Sequence, residues 1–129
     1  MQNTDTGRKG NMFGRCIAKQ FAEQMGLVLN GNSNECRYDE EDSVIKSARI
    51  NNSKVGICIT TLQKVENVIL LKEVENNKFA VHICKIERCI TDGKPTASKG
   101  KAKNFSVNTI IQNGKQIGTF IYTDINGVV

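Results

Sequence analysis

The sequence predicts a single small domain of mixed α/β (α+β) class, and three observations carry that prediction. The chain has 129 residues, 39% of them hydrophobic, enough for one core and short for two. Apolar residues recur every four positions near the N-terminus and then give way to short runs rich in Val and Ile, a switch from helical to strand period. Turn-forming clusters such as NGNSN, NNSK and ENNK separate the runs.

The elements follow in order. Residues 1–10 are polar and are expected to be a flexible N-terminus, with the domain over 11–129. Phe13, Ile17, Phe21 and Met25 form a stripe widened by Ala18 and Ala22, with Gly26 as a stop, so residues 12–25 read as an amphipathic helix. NGNSN is a loop. A hairpin is expected next, with strands near 35–38 and 43–50 turning through Asp39 to Asp42. GICIT is a short strand leading into a brief helix, for which Thr60 and Gln63 have capping-box spacing. NVILLKEV and FAVHICKI pair through ENNK, and NVILL reads as a central strand covered on both faces. Residues 91–104 form a basic loop, 106–113 a short helix ended by Gly114, and IGTFIY a final edge strand.

The charge distribution is informative. The chain carries +5, yet ECRYDEED at 35–42 holds five of the thirteen acids and one arginine, a local net of −4 that leaves +9 on the remainder. An acidic spot in a basic molecule suits a metal-dependent enzyme acting on a polyanion. It also suits a solvated acidic turn on a basic surface. No apolar stretch approaches the length of a membrane span and the start has no signal-peptide core, so the expected location is the cytoplasm with no membrane partner. The five cysteines include no CxxC pair and read as free thiols, three of them buried, rather than as zinc ligands or disulfides.

If the first hairpin turns about Glu40 and Glu41, Glu35 faces Lys46, Arg37 faces Val44 and Asp39 faces Asp42, all on one face. Carboxylates there could hold Mg²⁺, and the lysine could stabilise charge on a phosphate. An ordinary cross-strand Glu–Lys pair is the alternative. His82, mid-strand between Val81 and Ile83, is expected to be satisfied or solvent-facing rather than a catalytic base. Serine and cysteine nucleophile motifs are absent from the sequence. For nucleic acid, Lys94, Lys99, Lys101 and Lys103 could contact phosphates, and Arg8, Lys9, Arg15 and Lys19 could extend that surface.

The order of elements, with NGNSNECRYDEEDSVIKSARINNSKVGICITTLQKVENVILLKEV, resembles the PD-(D/E)xK nuclease superfamily. That resemblance implies a restriction-endonuclease-like mixed β-sheet flanked by helices. It implies a Mg²⁺-dependent endonuclease of restriction type acting on double-stranded DNA as a homodimer. IKS at 45–47 resembles the end of the acid-x-Lys triplet, with Lys46 as its lysine. Glu35 matches the first metal acid and Glu23 the auxiliary acid. The basic loop would clamp DNA, and Thr60 and Thr61 would contact backbone or bases. The residue two before the lysine is Val44, which cannot bind a metal. Either Asp39 or Asp42 replaces the acid as metal ligand, or the register differs, or cleavage is lost and DNA binding kept. A non-catalytic DNA-binding protein and a small protein-interaction or immunity module are the rival readings.

Overall fold

The computed structural model describes residues 4–31, 33–89 and 101–123, with side chains from residue 14 onward. Among the described residues eleven elements follow one another: α1 (Thr4–Met25), β1 (Glu35–Tyr38), β2 (Glu41–Ala48), β3 (Lys54–Cys58), α2 (Ile59–Leu62), β4 (Asn67–Glu75), β5 (Lys78–Lys85), α3 (Ile86–Cys89), β6 (Ala102–Ser106), α4 (Val107–Asn113) and β7 (Lys115–Ile121). The predicted mixed α+β class is what forms. A five-stranded sheet runs in the order β1-β2-β4-β5-β7, and a separate antiparallel pair joins β3 to β6. Within the large sheet only β2 and β4 are parallel, and the chain between them, β3 and α2, makes the crossover that a parallel pair requires.

Two cores lie on the two faces of that sheet. α1 packs Ile17, Ala18 and Phe21 onto Ile45, Ile69 and Leu71. On the other face Val44, Val68 and Leu70 meet Val55, Ile57 and Phe105 of the small sheet, with Val107 and Ile110 of α4. β4 is therefore apolar on both sides, and Ile69, Leu70 and Leu71 are all fully buried, as expected of the central strand. Each such side chain contributes about 1.5–3 kcal/mol by leaving water. The predicted stripe on α1 holds for Ile17 and Phe21, but Met25, the last residue of the helix, is 45% exposed. The helix ends at Gly26 with φ +70°, where the Leu27 N–H returns to Ala22 O at 2.8 Å. It begins at Thr4 rather than near residue 12.

Several sequence expectations change. The first hairpin turns through Asp39 and Glu40, both at positive φ (51° and 65°), in a two-residue turn whose twist matches the flanking strands. Glu35 therefore faces Val44, not Lys46, and Arg37 faces Asp42. Arg37 fastens this register, pairing with Asp42 Oδ1 at 3.3 Å and donating to Glu40 O. Because the displacement is two residues, Glu35, Asp42, Val44 and Lys46 still share a face, while Asp39 leaves it for the turn. The capping box does not form: Cys58 is the N-cap of α2 and makes no side-chain cap bond. Residues 102–104, read as loop, belong to β6, and α3 was not expected. Ser106 caps α4 by accepting from the Thr109 N–H at 3.3 Å, and β7 lies at the sheet edge as predicted.

Polar side chains staple the loops to this frame. The Lys72 ammonium donates to Arg49 O (2.8 Å), Ile50 O (2.9 Å) and Asn52 O (3.3 Å), closing the turn between β2 and β3. Glu73, 4% exposed, accepts from the Ile50 and Asn77 N–H groups. All five cysteines are free; Cys36, Cys84 and Cys89 are buried, and Cys16 and Cys58 exposed. Among the described residues no helix is long and apolar enough to cross a membrane.

Candidate functional site

The side chains singled out from the sequence divide between two neighbouring clefts. Glu35 and Asp42, two residues apart on the ladder and on the same face, line an open cleft of about 430 Å³ with Asn30, Ser33 and Lys64. Lys64, which follows α2, sits 3.4 Å from Glu35 and takes the role expected of Lys46. Asp42 is held by Arg37. The two predicted carboxylates are thus brought together, each already engaged by a cation.

Lys46 lies two residues farther along β2 in a second cleft of about 280 Å³, lined by Gly14 and Arg15 of α1, Asn34, Ser47, Lys54 and Gly56 among others. None of the described residues lining it is acidic. Lys46 is half-buried and among the described residues makes no ion pair. Burial pushes its ammonium below the usual lysine range, and the nearby Cys58 sulfur opposes that shift. β2 carries the lysine into this position because Val44 and Ala48, on the same face, are anchored in the core. Val44 is 3% exposed, so the position where an acid was sought is a packing position.

The remaining predicted residues scatter. Glu23 is exposed on α1 and lines neither cleft. Asp39 is exposed in the hairpin turn. Thr60 is exposed and Thr61 half-buried on α2. Lys101 accepts the Ile59 N–H through its carbonyl, and Lys103 stands opposite Ile57 on β6. Lys94 and Lys99 lie outside the described residues, as do the side chains of Arg8 and Lys9. His82 is 8% exposed with Nδ1 unpartnered, neither satisfied nor solvent-facing, and its desolvation lowers its pKa. Among the described residues no three His, Cys, Asp or Glu side chains converge as a metal seat.

One polar row escaped the sequence reading. The register sets Ser43 beside Asn67 and Asn67 beside Lys85 across three strands. Asn67 Nδ2 donates to Ser43 Oγ and to Glu41 Oε1, both at 3.3 Å, and Lys85 pairs with Glu41. The Lys85 hydrogen bond, then that of Asn67, holds the Glu41 carboxyl below the usual range. Each member opens or closes an apolar run, so only strand register could have revealed the row. Lys54, Ser47 and Asn34 were also missed. For Ser47 and Lys54 the signal was the Lys and Ser on either side of ARINN, which line one cleft because β2 and β3 flank that turn; Asn34 reaches it from the loop before β1.

Comparison with known proteins identifies no relative: no family model matches the chain, and no curated protein or solved structure matches it significantly.

Proposed function

We propose that this domain binds the phosphate backbone of double-stranded DNA in the cytosol, where its thiols stay reduced. The observation that carries the reading is the cleft, with no acid among its described lining residues, in which Arg15, Lys46 and Lys54 come together from α1, β2 and β3. A half-buried ammonium with no carboxylate partner is costly to keep, and a phosphate is the ligand that would offset that cost. The +5 net charge acts in the same direction, steering a polyanion toward the surface. Lys101 and Lys103 on the strand paired with β3 would extend the contact. The acidic cluster at 35–42 would orient the duplex by repelling phosphate beside the basic cleft.

A second reading is Mg²⁺-dependent cleavage of that DNA, and one observation favours it: Glu35 and Asp42 share a cleft next to the one holding Lys46. Mg²⁺ is commonly held by one or two carboxylates and several waters, and Glu35 and Asp42 would be those carboxylates. The ion would supply charge stabilisation at the phosphate.

Incubating the purified protein with supercoiled and linear DNA at low salt, with Mg²⁺ and with EDTA, beside Lys46→Ala, tests both readings. A salt-sensitive mobility shift in EDTA, weakened in the variant, is the expected result. Discrete Mg²⁺-dependent fragments that vanish in the variant would establish cleavage. Neither a shift nor fragments would refute both.

A further inference from the structure

We infer that the open edge of β2 is a seat for a single phosphate group, built on the Ser47 N–H and walled by Arg15, Lys46 and Lys54. The inference rests on the DNA-binding reading and names what the cleft grips: one phosphodiester phosphate.

The seat follows from where β1 stops. β1 accompanies β2 only as far as Glu35 opposite Val44, and the last bond across is the Ile45 N–H donated to Asn34 O at 2.8 Å. N–H groups alternate sides along a strand. The Ser47 N–H therefore points to the same side as that of Ile45, beyond the end of β1. No acceptor for it is found among the described residues. It opens into the cleft lined by Lys46, Lys54 and Arg15, so a donor that would otherwise remain unpaired meets a site of positive charge.

Three further features suit an anion. The Ser47 hydroxyl is at the same mouth: a Cβ added to Gly14 would lie 3.6 Å from its Oγ, so α1 passes the strand edge with no side chain between. Gly56 also lines the cleft, beside the Asn104 side chain, and glycine is the residue that lets a backbone come close to a ligand. Asn34 lines the cleft with a buried Oδ1 that has no hydrogen-bond partner. No described residue holds its Nδ2 either, so a half-turn of the amide, which exchanges the two atoms, replaces an orphaned acceptor by a donor. An extended peptide added to this edge would meet lysines on both sides, the arrangement by which proteins discourage strand addition. A phosphate instead meets the Ser47 N–H and hydroxyl beside Lys46, Lys54 and Arg15.

The test uses the whole chain, inorganic phosphate followed by ¹⁵N amide shifts, and a fluorescent DNA duplex followed by polarisation. Gly14→Glu adds a carboxylate at the cleft wall while replacing a glycine inside a helix, a change that favours the helix. Lys54→Ala removes an exposed cation and keeps the test intact should Gly14→Glu fail to fold. Phosphate is expected to shift the Ser47 amide saturably in the wild type and not in Gly14→Glu. Duplex affinity is expected to fall about tenfold in Gly14→Glu, and the salt slope by about one, because one phosphate is no longer neutralised. Duplex binding that neither variant changes, with no phosphate shift at Ser47, would overturn the seat and leave the DNA reading standing. A phosphate shift without duplex binding would uphold the seat as a site for free phosphate and refute the DNA reading. Neither response would overturn both.

Discussion

Lys46→Met should make the protein more stable and its nucleic-acid binding weaker. The lysine stem lies along β2 between the buried Val44 and Ala48 and beside Leu70 of β4. Methionine retains much of that stem's length and apolar contact. What the substitution removes is an ammonium that burial disfavours. Relieving a functional strain of this kind stabilises by about 0.5–2 kcal/mol. With a urea m-value of about 1–3 kcal/mol/M, a gain of about 1 kcal/mol raises the unfolding midpoint by roughly 0.3–1 M. The difference should depend on pH. A lysine whose folded pKa lies below the ordinary 10.5 binds fewer protons folded than unfolded in the interval between the two values. Wild-type stability therefore rises with pH through that interval, whereas the variant lacks this dependence, and the gap closes under alkaline conditions. Urea titrations at neutral and alkaline pH measure it directly. A Lys46→Met protein less stable than wild type at neutral pH, or a gap that widens with pH, would refute the claim that the ammonium is held at a cost.

Four other outcomes are expected. Leu70→Ala, at a fully buried position on the central strand, should cost about 2–5 kcal/mol in urea unfolding. Gly114→Ala should cost about 1–3 kcal/mol, because its Cβ would come within 2.6 Å of both Ile110 O and Ile83 O; a wild-type thermal midpoint would contradict the packing described between α4 and β5. Lys72→Met should cost about 1 kcal/mol and speed amide exchange in the turn whose carbonyls it holds. Glu41, whose carboxyl lies below its usual 4.5 through Lys85 and then Asn67, contributes stability above that value and loses it as pH falls through the folded pKa. Glu41→Gln should accordingly flatten the acid limb of the stability profile.

The sequence made some elements legible because one physical cause dominated there. The spacing of Ile17 and Phe21 exposed the buried face of α1, and the unbroken NVILL betrayed a strand covered on both sides. Gly114 marked the end of α4, at a place where close packing leaves no room for a Cβ. Where the cause was tertiary, the reading failed. The turn at Asp39 and Glu40 uses positive φ at two residues with no glycine to announce it, and two residues of displacement separated Glu35 from Lys46. β6 carries only Phe105 as a buried anchor, so its alternation was hidden among lysines. The candidate site was half legible: Glu35, Asp42 and Lys46 do share a face. The cleft that receives Lys46 needed Arg15 from α1 and Lys54 from β3, and no spacing along the chain links those two.

The most direct test of the central claim is the affinity of the wild-type protein for a DNA duplex as a function of salt, measured in EDTA. If the seat walled by Arg15, Lys46 and Lys54 neutralises one phosphate and Lys101 and Lys103 about one each, log K should fall linearly with log salt with a slope of about −3. Absence of binding at low salt, or binding indifferent to salt, would contradict it.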